Sequence, residues 1–383
     1  MDQHSKAELV RSYRKRYRKA GKKDKTRIIS QIVDATGYSR KHVARALNSD
    51  RHVPKKVTRT RKSKYDPVLK PLQRIWAVAN FICGKRLKPF MPHLIASLKQ
   101  HGEIKITKEE ESLLLAISSA TIDRLLTPAR KSIGIKGRST TKPGTLLKHQ
   151  ITVKTFADWD DTRPGFLQID LVAHCGMSTG GEYINTLNMV DVATGWCVAT
   201  AFMGRSERFC TAAIGEVTPY LPFTILGIDS DNGSEFINAH MKRYCEKHSF
   251  TFTRGRANKK NDSCFIEQKN WDIVRKMIGY GRFETHAELA VLKNIYRLLG
   301  LYQNYFQPSR KLVSKTRIGP KVIKKYDDAQ TPAQRLLARK DTQKEMKRHL
   351  KQTFKTLNPA QLMKDIQRLI TNLYELNVRE HLS

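Results

Sequence analysis

Three acidic side chains are set apart by their local context. Asp231 lies in Ile228-Asp229-Ser230-Asp231-Asn232-Gly233-Ser234-Glu235-Phe236. The apolar residues 223–228 before it read as a buried strand. Asn232-Gly233 is turn chemistry, and Phe236, Ile237, His240, Met241 and Tyr244 then recur at helix spacing. Asp170 lies inside another strand-like run, residues 165–172, and Glu267 stands at the start of an expected helix. Sixty residues separate the first two acids and 35 the second two. A carboxylate at the C-terminal end of a strand, beside a turn into a helix, sits where open α/β sheets place their chemistry. Carboxylates and water are the ligands that Mg2+ and Mn2+ prefer. Three acids from two strands and a helix can hold two such ions about 4 Å apart. The plainer reading of an Asp before Asn-Gly is a turn former. Asp229 shares a strand face with Asp231 and rivals it as a ligand.

The elements that must position these acids follow a definite order. Strands are expected at 166–173, 182–190 and 196–202, a helix at 206–217, a strand at 223–229 and a helix at 235–247. A short strand at 250–253 and a helix from about 263 complete the set. Glycines 176, 180, 181 and 195 fall where an antiparallel meander must turn.

This combination resembles the catalytic core of the retroviral-integrase superfamily, and within it the bacterial insertion-sequence transposases. The motif is a strand Asp, an Asp-Asn-Gly-x-Glu-Phe box, and a helix Glu about three dozen residues later. The resemblance covers about residues 155–310 and continues more weakly to Thr331-Pro332-Ala333-Gln334-Arg335. It implies a ribonuclease-H-like core and a DDE polynucleotidyl transferase using two Mg2+ or Mn2+ ions. Asp170 is then expected between the ions, with Asp231 and Glu267 holding one each. One ion would activate the attacking oxygen, from water or a DNA 3′-OH, and the other would stabilise the leaving oxygen. The family also carries a basic residue one or two turns after the Glu, which holds terminal phosphates. Here Val274 stands seven residues on and Arg275 eight.

Charge points the same way. The 383 residues hold 71 Lys and Arg against 35 Asp and Glu, a net charge of +36. A compact chain this basic repels itself unless a polyanion neutralises it. No apolar run approaches a membrane-spanning length, and the polar, basic start shows no signal peptide. The cysteines at 83, 175, 197, 210, 245 and 264 form no Cys-x-x-Cys pair, so buried free thiols in a reducing cytoplasm are expected. No zinc-binding His and Cys module precedes the core.

The expected architecture is multidomain: N-terminal all-α helix-turn-helix modules, an α/β ribonuclease-H-like core with a mixed five-stranded sheet, and a helical, basic C-terminal tail. Residues 1–50 read as a helix-turn-helix domain. Ser39 is the N-cap of a second helix that presents Arg40, Lys41 and Arg45 to a major groove. Residues 51–65 are a basic linker, and 66–130 a second helical module with a capping box at Thr107 and a candidate reading helix carrying Thr121 and Arg124. A second basic linker spans 131–154, the core 155–306 and the basic tail 307–383. The tail holds a segment, 311–325, that forms a strand pair or lies along DNA. Its terminal helix carries an apolar stripe that docks on its own chain or another subunit. Beside the acids, Arg254, Arg256, Lys259 and Lys260 line a basic loop, and Lys269 and Arg275 follow Glu267. His174 reads as a core or surface histidine.

The leading expectation is therefore a transposase that binds the terminal repeats of a mobile element and cuts and joins their ends. It would act on double-stranded DNA, as a homo-oligomer on that DNA, in a bacterial cytoplasm near the nucleoid. The alternatives are a catalytically inactive DNA-binding regulator and a ribonuclease-H-type nuclease.

Overall fold

The computed structural model describes residues 2–49, 63–131, 152–153, 163–204, 206–230, 236, 239–254 and 264–382. Most of both basic linkers lies outside these residues. The chain forms two compact units, Met1–Lys64 and Tyr65–Ser383.

The described residues of the first unit form three helices, α1 (Gln3–Lys19), α2 (Lys22–Thr36) and α3 (Arg40–Asn48). Asp2 caps α1 by accepting from the Ser5 backbone N–H at 2.7 Å. Gly37 ends α2 at φ 67°, the left-handed conformation that glycine adopts without a Cβ penalty. Ser39 caps α3, its Oγ accepting from the His42 N–H at 3.3 Å. Val10, Tyr17, Ile28, Ile32, Val43 and Leu47 form the core. Most of the basic side chains are exposed, while Arg14 is half-buried and donates from Nη2 to Ala46 O at 2.9 Å.

The second unit is built on a mixed sheet. Its strands are β1 (Thr152–Val153), β2 (Phe166–Ala173), β3 (Ile184–Asp191), β4 (Cys197–Met203), β5 (Gly227–Ser230) and β6 (Thr251–Arg254). Their order across the sheet is β1-β6-β5-β2-β3-β4. The expected five-stranded mixed sheet is present, with the two-residue β1 added parallel to β6 at one edge. β2, β3 and β4 form an antiparallel meander, and β5 and β6 join parallel. The expected strand at 223–229 pairs only over Gly227–Ser230. Gly165 makes the entry to β2 at φ 116°, where a Cβ would lie 2.4 Å from the Thr224 carbonyl oxygen. The Asp191 carboxylate fixes the same corner, accepting from the N–H groups of Gly165 at 2.8 Å and Thr194 at 2.7 Å.

Residues 66–130 do not form a module apart. Their helices α4 (Leu69–Val78), α5 (Gly84–Gln100), α6 (Lys108–Ala116) and α7 (Ser119–Lys131) share one hydrophobic cluster with the sheet and the later helices. The Tyr302 hydroxyl donates to the Val78 carbonyl at 2.5 Å, Gln307 Nε2 to Ala79 O at 2.9 Å, and Arg86 Nε to Pro308 O at 2.6 Å. Amphipathic helices reveal an apolar face, but not what covers it. The Thr107–Glu110 capping box at the start of α6 is formed as expected.

On the sheet pack α8 (Glu207–Val217), α9 (Ala239–Lys247), α10 (Cys264–Lys269) and α11 (His286–Phe306). The tail holds a two-stranded ribbon, β7 (Leu312–Ile318) with β8 (Lys321–Tyr326). Two helices that the sequence reading did not anticipate follow, α12 (Pro332–Ala338) and α13 (Lys344–Thr356), and then the expected terminal helix α14 (Pro359–Leu382). The α14 stripe docks on its own chain: Leu362, Ile366, Ile370 and Leu373 are buried in the common core. The Tyr374 hydroxyl donates to Ile278 O and Asn377 Nδ2 to Arg282 O, both at 2.6 Å. Among the described residues no helix is long and apolar enough to cross a membrane. Cys175, Cys197, Cys210 and Cys245 are buried free thiols, whereas Cys83 is exposed.

Truncating Leu373 to Ala is expected to destabilise the second unit by about 2–5 kcal/mol, the cost of a buried leucine cavity. Urea unfolding checks this. A loss below about 0.5 kcal/mol, the range of an exposed site, would show that α14 does not rest on this core.

Candidate active site

The pairing register puts the sequence-nominated acids of the sheet on one face. Gln168 pairs with Asp229 and Ile169 with Ser230 between the parallel strands β2 and β5, while Asp170 pairs with Asn188 on β3. Side chains alternate across a sheet, so Gln168, Asp170, Asp229 and Asn188 share a face. The last β2–β5 pair stops one residue short of Asp170 on one strand and of Asp231 on the other. Asp231 itself lies outside the described residues, as do Arg256, Lys259 and Lys260.

Helix α10 is tied to that face at two points. Gln168 Oε1 accepts from the Ile266 backbone N–H at 3.3 Å. Asn270 Nδ2 donates to Asp170 Oδ2 at 2.5 Å, and Asn270 Oδ1 accepts from Asn188 Nδ2 at 2.9 Å. Asp170 Oδ1 takes the Leu171 N–H at 2.8 Å. Asn270 opens a π-helical turn, Asn270–Arg275, directly after α10. Such wide turns recur at functional sites because they re-aim side chains. Glu267 sits three residues before Asn270, close to the same helix face, and is exposed. The geometry thus brings the Glu267 helix against Asp170 through a residue, Asn270, that sequence reading passed over. Its signal was available: a polar residue one turn beyond a nominated catalytic acid.

Asp229 is buried and accepts from Thr253 Oγ1 at 2.8 Å. It therefore already serves the β5–β6 pairing.

The basic residues nominated near Glu267 separate. Lys269 is buried, 8 % exposed. Two residues beyond Glu267 on a helix is the opposite side. Arg275 donates from Nη2 to Ala173 O at 3.2 Å and lies over the Tyr280 ring at 4.8 Å. Burial pulls its pKa down, while Tyr280, Cys175, Tyr296 and the Asp170 carboxylate favour the cation. Arg254 is half-buried at the end of β6. In the first unit Arg40, Lys41 and Arg45 are exposed on α3, with Arg40 Nη1 donating to Ser30 Oγ at 3.0 Å. On α7, Arg124 is exposed and donates from Nη2 to Thr121 Oγ1 at 3.2 Å.

The donor set is oxygen throughout, which suits Mg2+ or Mn2+ and disfavours softer metals. Among the described residues no group of three His, Cys, Asp or Glu side chains is placed to hold a metal.

The family model for the integrase core domain matches residues 161–260. An uncharacterized protein, y4rM of Sinorhizobium fredii (strain NBRC 101917 / NGR234), is 37 % identical over 334 residues, covering 86 % of this chain and 95 % of that one. The chain belongs to the integrase-core family of DDE transposases and integrases. Its function is accordingly of the DNA-processing type, and its family that of polynucleotidyl transferases. Solved structures similar to parts of this integrase-core protein include the HTLV-2 integrase catalytic core domain in complex with magnesium. That match has 15 % identity, covers 38 % of this chain and 90 % of that one, and has a TM-score of 0.29. The BIV integrase catalytic core domain matches at 15 % identity over 44 % and 91 %, with a TM-score of 0.30.

His174 is a core residue of this integrase-core protein and takes no part in the acid cluster. Its Nε2 lies 2.8 Å from Thr186 Oγ1 and 3.2 Å from the Tyr296 hydroxyl. Burial, aided by the charge of Arg275, pushes its pKa from 6.5 down to about 3. The folded state thus refuses a proton that the unfolded chain accepts. Stability from this group is complete above pH 6.5, falls as pH drops below it, and levels near pH 3. The slope is at most about 1.4 kcal/mol per pH unit. Urea midpoints between about pH 4 and 7 are expected to fall with acid in the wild type and less steeply in His174→Gln. Parallel profiles would contradict the assignment.

Proposed function

We propose that this protein is the transposase of a bacterial mobile element. It binds the element's terminal repeats and catalyses metal-dependent strand cleavage and strand transfer. The observation that carries this reading is the convergence on Asp170. The β2–β5 register ends one residue before Asp170 and Asp231, and Asn270, one turn from Glu267, is hydrogen-bonded to Asp170. Asp170, Asp231 and Glu267 would hold two divalent ions. When bound, those ions supply charge neutralisation to an in-line phosphoryl displacement and lower the pKa of the attacking oxygen. Asp229, buried and engaged by Thr253, is left out of that set.

The chain's own residues supply positioning. Asn270 holds the Asp170 carboxylate in its orientation, and Asn188 holds Asn270. Arg275, half-buried on Ala173 O and over the Tyr280 ring, adds a positive charge to the field around Asp170. The attacking group is water for cleavage and a DNA 3′-OH for joining. One site serves both because only the incoming oxygen differs. No covalent enzyme–DNA bond is required.

The N-terminal unit is assigned to DNA binding through α3. Its exposed Arg40, Lys41 and Arg45 follow the Ser39 cap, the arrangement by which a recognition helix enters a major groove. Two DNA ends must be paired for transposition, so self-association on DNA is part of the proposal.

Asp170→Asn, Asp231→Asn and Glu267→Gln are each expected to lower strand cleavage and strand transfer by about a thousandfold or more, equivalent to roughly 4 kcal/mol of barrier. Binding to terminal DNA should stay within about twofold of wild type, a free-energy change of only ~0.4 kcal/mol. Gel assays with Mg2+ and with Mn2+ read both quantities. Normal strand transfer by any one of the three variants would remove that residue from the site. Deleting residues 1–64 separates this reading from a plain nuclease, because end-specific cutting should vanish with the deletion.

A further inference from the structure

The ribbon formed by β7 and β8 has no part in the site described above. Its sequence, residues 311–326, holds six basic residues and no acid. Lys315 and Lys324 are direct cross-strand partners, and Arg317 follows on the same face as Lys315. Like charges placed opposite one another destabilise a strand pair. A two-stranded ribbon is already marginal in water. This one also exposes apolar side chains, Val313 at 64 % and Ile318 at 62 %. Among the described residues β7 finds no cover along the ribbon, since residues 313 to 318 are all exposed.

The root, by contrast, is held firmly. Asp327 accepts from the Lys311 N–H and from Arg335 Nη1, both at 2.6 Å, and Arg335 Nη2 donates to Ser309 O at 2.8 Å. Lys311 Nζ donates to the Ala193 carbonyl at 2.9 Å, in the turn between β3 and β4. Asp191 at that turn pairs with Leu167, at the start of β2. The ribbon is therefore anchored at the end of the sheet opposite the carboxyl ends of β2 and β5.

We propose that this ribbon is a DNA-contacting arm, which lies along duplex DNA away from the reacting phosphate. The proposal rests on the DNA-processing reading above and adds a second contact to it. A two-stranded ribbon fits a major groove, and strands of this length reach about 20 Å. Phosphates supply the negative charge that the Lys315–Lys324 pair lacks. The anchored root turns that contact into a fixed lever between the DNA and the sheet.

The test uses the full chain and a random-sequence B-form duplex titrated across KCl concentrations. Lys315→Ser combined with Lys324→Ser is expected to make the slope of log affinity against log salt shallower by about 1.8, or about 0.9 per lost phosphate contact. The thermal midpoint should not move. Lys315→Arg with Lys324→Arg should restore the slope, and the double serine variant should cleave pre-bound terminal DNA at the wild-type rate. An unchanged slope in the double serine variant, with normal wild-type binding, overturns the arm and leaves the DNA-processing reading standing. Failure of the wild type to bind any duplex overturns both. Loss of binding to phosphatidylserine vesicles, or of self-association, without a change in DNA slope would assign the ribbon to a membrane or to a second copy and overturn the proposal.

Discussion

The parallel pairing of β2 with β5 is the constraint from which the candidate site follows. It aligns Gln168 with Asp229 and Ile169 with Ser230. A slip of one residue would turn the acids of one strand to the opposite face. The register is held by apolar burial on the other face, where Leu167, Ile169 and Ile228 are buried in the common core. It is also held at the strand entry, where Gly165 lies too close to Thr224 for any side chain and donates its N–H to Asp191. Packing far from the acids thus decides where the acids meet.

The second constraint is the attachment of α10. Gln168 takes a backbone N–H of this helix, and Asn270 bridges it to Asp170 and Asn188. These are buried or half-buried polar contacts, which are costly when left unpaired. They locate the helix along the sheet more narrowly than apolar packing alone would. Helix α11 then closes over the neighbouring strands, with Tyr296 on Thr186 and Asn304 on Cys197, and α14 packs on α11 with Tyr374 on the turn at Ile278. The tail, which sequence leaves free to dock on another subunit, is part of this body.

Much of the sheet was legible in the sequence, because β2 reads as an alternating and buried run and is found at the expected residues, Phe166–Ala173. Caps were equally plain at Ser39 and Thr107, where one side-chain oxygen meets one backbone N–H. Other features were hidden for physical reasons. The stretch 223–226 is apolar enough for a strand, yet the ladder begins only at Gly227. Helix α13 has a narrow apolar stripe, Met346, Leu350 and Phe354, among many charges, and was passed over. The shared core of residues 66–130 depends on long-range contacts that helix periodicity does not encode. At the site, Lys269 reads from the sequence as adjoining the Glu267 face, whereas in the fold it is buried. Asn270 is legible only as a polar residue one turn beyond Glu267; the π-helical turn that aims it at Asp170 has no sequence signature of its own.

Asp170, Asp231 and Glu267 are proposed to share divalent ions. Fe2+ substituted for Mg2+, with ascorbate and peroxide, generates radicals that cut the backbone beside the bound ion, so fragment mapping on the full chain locates it directly. Cuts are expected to cluster near residues 170, 231 and 267, to be suppressed by excess Mg2+ and to be lost together in Asp170→Asn. Cuts concentrated elsewhere in the chain, or at only one of the three positions, would contradict the shared site.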